Sequence, residues 1–418
     1  MAAAPARPNF VFIFSDDHNY QCLGANGNPH IQTPHLDRLA ARGVLFNNGM
    51  ISTPQCCPSR GVMLSGRETI QTGLLSNGAA SFREGEGPTV ISQLKDAGYD
   101  TCLVGKWHIR NQPRECGFAK APLWLRGGGS RYVDPELCSG LDGRPRVTPG
   151  HITDLFTDAA IGYLKSATQP FFLWLAYNAP HTPWTPLDRF SVLYAGKALP
   201  PPAHPKSARE FDWATYYAVI SHLDDGIGRV IAQIDESRLW NNTVIVFLGD
   251  NGFLCGTKGL NGKVHPWEES VRVPFMAAGG PVRRGVRTGA PAASIGIPAT
   301  WMDFAGLSPR QPLAGRSLKP FLTTGMDAPE EGFAVWADGR PEALAVKRAV
   351  EPYRLVRTPR HKLIVWESRK QALYDYLADP AEESDLSTDP TPKKILAELR
   401  ARLAARLKST ADPALAWL

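Results

Sequence analysis

Four stretches of this 418-residue chain place carboxylate, amide, basic or imidazole side chains directly behind a short apolar run. Asp16-Asp17-His18-Asn19 follows Asn9 to Ser15, and Gly105-Lys106-Trp107-His108 closes the run YDTCLVG. Asn178-Ala179-Pro180-His181 follows Pro170 to Tyr177, and Gly249-Asp250-Asn251-Gly252 ends the run NTVIVFLGD. Runs of this kind read as strands buried on both faces of a parallel sheet. In open α/β sheets ligands bind outside the carboxyl ends of the strands. One aspartate in such a place is ordinarily a cap or turn residue; four such clusters together point to a site. Asp16, Asp17, Asp250 and Asn251 offer hard oxygen ligands from two strands that could lie side by side, a set suited to Ca²⁺ or Mg²⁺ rather than zinc. Three carboxylates packed without a cation would repel and raise one another's pKa.

The segment Thr53 to Arg67 (TPQCCPSRGVMLSGR) is the most specific in the chain. Pro58 sits where a helix can begin, so Cys56 just before it faces the N–H groups and positive dipole end, a good place for an anion. Two buried structural thiols at a loop–helix junction are the alternative.

The elements that must position these residues alternate. Thr33 and Pro34 stand as N-cap and N1 of a helix through Ala41, with Gly43 as its stop. Further helices are expected over Pro88 to Gly98, Ile152 to Ser166 and about Trp213 to Asp235, interleaved with the strands above. That order predicts an α/β sandwich with a largely parallel sheet. From about residue 335, EPYRLVRT, HKLIVWES and QALYDYL read as an antiparallel meander, with Lys393 to Leu407 a basic amphipathic helix packed on it. The domain change is placed in the Gly/Pro-rich stretch near residues 305 to 335.

Composition narrows the function. The chain carries 46 basic and 40 acidic residues, a net charge of +6. Spread over this length, that is no nucleic-acid-binding stripe and no basic tail. No apolar run of about 18 residues would span a membrane. Seven cysteines in so long a chain make no disulfide framework and leave at least one thiol over. The N-terminus lacks a charged leader before an apolar core, so a secretory signal is expected to be absent or already removed.

Cys56-Cys57-Pro58-Ser59-Arg60, followed by Leu64-Ser65-Gly66-Arg67, resembles the C-x-P-S-R…L-x-G-R signature of type I sulfatases of the alkaline-phosphatase-like superfamily. Residues 9–17, TPHLDRLAARGVLF, Gly105 to His108, GHITDLFTD, Ala179 to His181, GDNG at 249–252, residues 259–274 and LYDYLADPAEESDLS resemble further family blocks in the family's order. The resemblance covers nearly the whole chain. It implies an alkaline-phosphatase-like sandwich, a large mostly parallel sheet flanked by helices, plus a smaller C-terminal antiparallel sheet with a helix. The expected division is a catalytic domain over 1–320 and an α+β subdomain over 321–418.

The resemblance also implies that Cys56 is oxidised to formylglycine by a maturation enzyme, its hydrate a geminal diol. Asp16, Asp17, Asp250 and Asn251 would hold Ca²⁺, with Mg²⁺ less favoured, against a diol oxygen of residue 56 and the sulfate. Arg60 would steady residue 56, and Lys106, His108, His181 and Lys263 would surround the sulfate. One diol hydroxyl attacks sulfur, with His181 or Lys263 protonating the leaving oxygen. His108 then takes the proton of the remaining hydroxyl as sulfate is expelled. Lys263 is preferred over Lys258 for the second lysine, because G-L-x-G-K points to it. Cys57 reads as a packed thiol, and Glu268, Glu269 and Arg272 as a structural ion-pair network. His18 and Asn19 are candidates for supporting or substrate-facing positions. His265, Trp267, Trp184 and Arg131 are candidates for lining the pocket, Trp267 standing where the family more often has Tyr.

The doubled cysteine resembles the glucosamine 6-sulfatase branch and suggests a sulfated sugar, and the complete site in a compact chain without a large insertion leads to an exo-acting enzyme on a carbohydrate sulfate ester. The alternatives are a phosphodiester or phosphonate monoester hydrolase of the same superfamily or, with Cys56 unmodified, a silent sulfate-glycan binding protein. Such substrates place the protein in the periplasm or outside the cell if a signal peptide has been removed, and in the cytoplasm otherwise.

Overall fold

Every residue of Asn9–Ser15 (β1) is buried, as its uninterrupted apolar sequence requires. The side chains divide by pleat: Phe10, Phe12 and Phe14 enter one core, Val11 and Ile13 the other. On the first side Phe12 meets Trp174 and Trp301 edge-on at ring-centroid distances of 5.2 and 4.9 Å. Such aromatic pairs add about 1 kcal/mol each to what burial supplies. This is a computed structural model, and it describes residues 7–77, 81–82, 89–168, 170–201, 210–338, 350–390 and 392–418.

The other strands of the main sheet are β2 (Gly43–Phe46), β3 (Asp100–Lys106), β4 (Lys120–Leu125), β5 (Phe171–Ala176), β6 (Thr243–Gly249), β7 (Phe275–Ala278) and β8 (Val286–Thr288). Their order is β8-β2-β7-β6-β1-β5-β3-β4, and β7 alone runs antiparallel to its neighbours. Helices cover both faces. Pro34–Ala41 (α1), Ile152–Ser166 and Trp213–Glu236 pack on the Val11 side, while Cys56–Ser65 (α2), Val90–Asp96 and Gly296–Ala305 pack on the Phe12 side. Beyond it lies an antiparallel sheet of β9 (Gly332–Trp336), β10 (Tyr353–Arg357), β11 (His361–Trp366) and β12 (Gln371–Asp375). The helix Lys393–Ser409 lays Leu399, Leu403 and Leu407, spaced four apart, on this sheet. Among the described residues no helix is long and apolar enough to cross a membrane, and the seven cysteines are all unpaired and buried.

Register places the site. Ser15 pairs with Gly249, Phe14 with Ala176, and Ala176 with Gly105. The four adjacent strands β6, β1, β5 and β3 therefore end level, and the four polar clusters leave from one edge. Asp250 N donates to Ser15 O at 2.8 Å and Asp16 N to Ala179 O at 3.1 Å, which stitches three of these loops together.

Two local expectations change. Thr33 and Pro34 occupy the N-cap and N1 positions of α1, but the Thr33 side chain makes no cap hydrogen bond. The Asp224 carboxylate accepts from Leu36 N at 2.7 Å and His35 N at 3.1 Å instead, while Thr33 Oγ1 donates to Asp37. Gly43 opens β2 rather than stopping α1, and a Cβ there would fall 2.1 Å from Ala277 O. The strands β2, β7 and β8, of three or four residues, carry too few residues for a periodic signal. The helix expected from Pro88 begins at Val90, with Thr89 Oγ1 accepting from Ser92 N; Pro88 lies outside the described residues.

Gly105 has φ +103°, and a Cβ there would lie 1.9 Å from Ala176 O. Gly105→Ala should destabilise the fold by about 3 kcal/mol, strain and overpacking combined. Gly98, at φ +92° with open space around it, isolates the strain alone, so Gly98→Ala should cost about 1–2 kcal/mol. Urea denaturation of both variants checks the order.

Candidate active site

The helix α2 starts at Cys56, two residues before Pro58, with Gln55 as its extended N-cap. Cys56 therefore lies in the first turn, and Arg60, four residues on, shares its face. Both are fully buried. Arg60 donates to Asp250 Oδ2 through Nε at 3.0 Å and Nη2 at 2.6 Å, to Asp16 Oδ2 at 3.3 Å, and to Lys106 O at 2.5 Å. Its guanidinium lies over the Phe14 ring. Lys106 Nζ pairs with Asp16 Oδ2. Lys263 Nζ pairs with Asp17 Oδ1 and lies 2.8 Å from Cys56 Sγ, which is itself 3.3 Å from Asp16 Oδ1. His181 Nε2 stands 3.8 Å from Asp17 Oδ2. One arginine and two lysines thus interleave with three carboxylates around one thiol.

Burial and charge oppose each other here. Burial raises the Asp16 carboxyl, yet Lys106, His181, Lys263 and Arg60 together hold it well below the ordinary range. Burial and the neighbouring Asp16 push Asp250 up to about 6. Burial pushes the Cys56 thiol up to about 12, so as a thiol it is no nucleophile near neutrality. Lys263 is raised despite burial, by Asp17 and Cys56. The imidazoles of His108 and His181 are lowered by burial first and by Lys106 next.

The donor set fits a hard cation. Asp250 Oδ1 and Asn251 Oδ1 are buried without a hydrogen-bond partner. The Asn251 amide is oriented by its own donors, Nδ2 to Asp17 Oδ1 at 2.6 Å and to Gly252 O at 2.9 Å, which leaves its oxygen free to ligate. Two unshared oxygens beside Asp16 and Asp17 are the kind of ligand a hard divalent cation takes. Asp16, Cys56 and His181 also present ligand atoms within 4.8 Å of one another.

Other candidates lie elsewhere. Lys258 Nζ donates to Ala381 O and Glu382 O at 2.7 and 3.0 Å, over the Trp267 ring. His18 is enclosed between Ser15 Oγ and Cys22 O, and Asn19 bonds Phe253 O and Gln21 N; both brace the loop. The Cys57 side chain is in the core. Glu268 joins Arg357, Lys362 and Arg272 in a buried ion network. Trp184 donates to Pro180 O, and Arg131 to Asp134 O.

Two supporting tyrosines carry no spacing signal. Tyr132 OH donates to His181 O at 2.7 Å, and Tyr216 OH donates to Asp17 O at 2.6 Å while accepting from Asn19 N. They hold backbone that includes Asp17 in the left-handed region, at φ +62°. A second cluster, His151, Asp154 and His222, is engaged in support. His151 Nδ1 accepts from Thr153 N, so its Nε2–H donates to Thr185 O, and His222 Nε2 meets Asp154.

Strand order, the hard-oxygen cluster and a cysteine in the first turn of a buried helix define a hydrolase of the alkaline-phosphatase-like fold. The sulfatase family profile matches residues 8–307, and that of the N-sulphoglucosamine sulphohydrolase C-terminal region matches residues 256–409. The chain belongs to the type I sulfatase family and is a sulfuric ester hydrolase. It is 26% identical to the N-acetylglucosamine-6-O-sulfatase of Bacteroides thetaiotaomicron, over 91% of this chain and 82% of that protein. It is 28% identical to the human N-acetylgalactosamine-6-sulfatase, over 78% and 68%. A solved structure described as bound to its substrate D-glucosamine-2-N,6-O-disulfate superposes with a TM-score of 0.87 at 25% identity, covering 97% of this chain and 99% of that one. The phosphonate monoester hydrolase of Agrobacterium radiobacter shares the fold, with a TM-score of 0.77 at 20% identity, over 97% and 96%.

Were calcium held by this cluster, Asp250→Asn would weaken its binding at least tenfold, on the order of 1.4 kcal/mol, as titration calorimetry would register. Lys258→Met should leave that affinity unchanged while lowering unfolding stability by about 1–2 kcal/mol, because two carbonyls lose their donor.

Proposed function

We propose that this enzyme hydrolyses a sulfate monoester on a carbohydrate, acting at a chain end and releasing inorganic sulfate, with glucosamine 6-O-sulfate the first substrate to try. The observation that carries the reading is residue 56. It begins a buried helix, touches Lys263 and Asp16, and sits against the hard-oxygen cluster. The sulfated amino sugars named for the relatives support the substrate class.

Formylglycine at position 56 would supply an oxygen nucleophile, and Ca²⁺ held by Asp16, Asp17, Asp250 and Asn251 would draw charge from the sulfate oxygens. The remaining work belongs to side chains. Arg60, tied to Asp250, Asp16 and Lys106 O, holds the first turn of α2 against the acidic cluster. Lys106 Nζ, paired with Asp16, would add its positive charge beside the sulfate oxygens. Lys263, kept protonated by Asp17, or His181 through Nε2 when its ring is protonated, gives its proton to the departing sugar oxygen as the S–O bond breaks. His108, whose burial keeps the imidazole neutral and able to accept, takes up the proton released when sulfate leaves. With three carboxylates and three cations already in balance, a divalent cation adds positive charge that an anionic ester offsets, so the site favours anions.

Mass spectrometry of the tryptic peptide spanning Cys56, from protein matured in its native host, should show a loss of about 18 Da against the unmodified sequence. Sulfate release from a panel of sulfated mono- and disaccharides should exceed that from aryl sulfates and paired phosphonate esters. EGTA should abolish turnover and added Ca²⁺ restore it. An unmodified peptide would sink the formylglycine reading; a preference for phosphonates would favour the phosphonate hydrolase.

A further inference from the structure

The loop leaving β4 contains three consecutive glycines, Gly127-Gly128-Gly129. None has a positive φ, so the backbone would accept any L-residue there and conformational freedom does not account for them. Space accounts for two. A Cβ on Gly128 would lie 2.4 Å from His108 Nε2 and 2.5 Å from its Cε1, far inside the roughly 3.5–4 Å of a favourable contact. A Cβ on Gly129 would lie 3.1 Å from His181 Cε1 and 3.3 Å from Nδ1. A Cβ on Gly127 would meet only Gly129 O, at 3.9 Å. The two glycines with no room are those lying on the two imidazoles.

The loop is also pinned at both ends, which limits how far it can shift to make room. His108 N donates to Arg126 O at 3.2 Å, two residues before Gly128, and Trp107 N donates to Leu125 O at 2.8 Å. On the far side Tyr132, fully buried, donates its hydroxyl to His181 O at 2.7 Å, and Ile152 N donates to Tyr132 O at 2.8 Å. The same strap therefore holds the backbone of both histidines at its ends and the faces of both rings at its centre. Any side chain at 128 displaces the His108 ring, and one at 129 displaces His181 by a few tenths of an ångström.

We propose that Gly128 and Gly129 are positioning residues of the sulfatase reaction, a strap without side chains that sets the orientation of His108 and His181 toward the sulfate ester. The proposal rests on the proton-transfer roles given to those histidines above. Misplacing a proton-transfer group by about 1 Å costs on the order of a hundredfold in rate. The smaller clash at 129 costs less, and the free position 127 costs nothing.

Single alanine substitutions at the three positions test this in the matured, calcium-loaded enzyme. Gly128→Ala should lower kcat tenfold to a hundredfold, roughly, with KM within about twofold and the melting temperature within a few degrees. Gly129→Ala should lower it several-fold, and Gly127→Ala should match the wild type. In a His108→Ala background Gly128→Ala should have no further effect, and in a His181→Ala background neither should Gly129→Ala, because groups acting through one another are not additive. A crystal structure of Gly128→Ala should show the His108 ring displaced while the Arg126 O bond to His108 N persists. Wild-type kinetics in Gly128→Ala with an unmoved ring, or an undiminished loss in the His108→Ala background, would overturn the strap. Should Gly128→Ala not fold, the Gly129 and His181 pair carries the same comparison. A wild-type enzyme without sulfatase activity would overturn the proposed chemistry instead, and the ring position would still decide the strap.

Discussion

Three carboxylates and three cationic side chains share one desolvated place at the edge of the main sheet, and the surrounding loops are built around keeping them together. Each charge taken out of water costs several kcal/mol unless it is paired at close range. Asp16, Asp17 and Asp250 are therefore matched by Arg60, Lys106 and Lys263, contributed by three other segments of the chain. Removing Asp16 leaves Lys106 buried without its carboxylate. The same mutual dependence leaves Asp250 Oδ1 and Asn251 Oδ1 unshared, since the cations are already committed to other oxygens.

Parallel strands supply what this arrangement needs. Strands β6, β1, β5 and β3 end level, so their following residues converge without long connections. The tight fit of Gly105 against Ala176 O brings β3 close enough for Lys106 to reach Asp16. A rigid sheet edge carries the residues more accurately than loops alone.

The second sheet contributes to the site indirectly. Lys263 sits in an irregular segment that also includes Val264 at φ +72°, a strained place for a β-branched residue. What holds it is the sheet beyond. Glu268, drawn down to about 2 against its burial by Arg357 and Lys362, joins this segment to β10 and β11. Lys362 also donates to Pro266 O, and Lys258 reaches the carbonyls of Ala381 and Glu382. Lys263, outside regular structure, is thus fixed by ion pairs that tie its segment to another layer.

Much was legible before any coordinates. Apolar runs marked the central strands because both their faces are buried, and the polar clusters behind them marked the sheet edge where a site belongs. The choice of Lys263 over Lys258, and of Cys56 over Cys57, followed from the resemblance to the sulfatase motifs G-L-x-G-K and C-x-P-S-R. Short strands such as Gly43–Phe46 and Phe275–Ala278 were not legible, since four residues carry no period and the two pair with each other across most of the catalytic sheet's sequence. The capping of α1 by Asp224, the hold of Tyr132 on His181 and the seating of Gly128 on His108 likewise join residues far apart in sequence. The amino acids by themselves determined which chemistry was available and on which strand ends it stood. Only the tertiary structure decided which groups share a buried charge or a van der Waals surface, because those energies depend on distances that chain order does not encode.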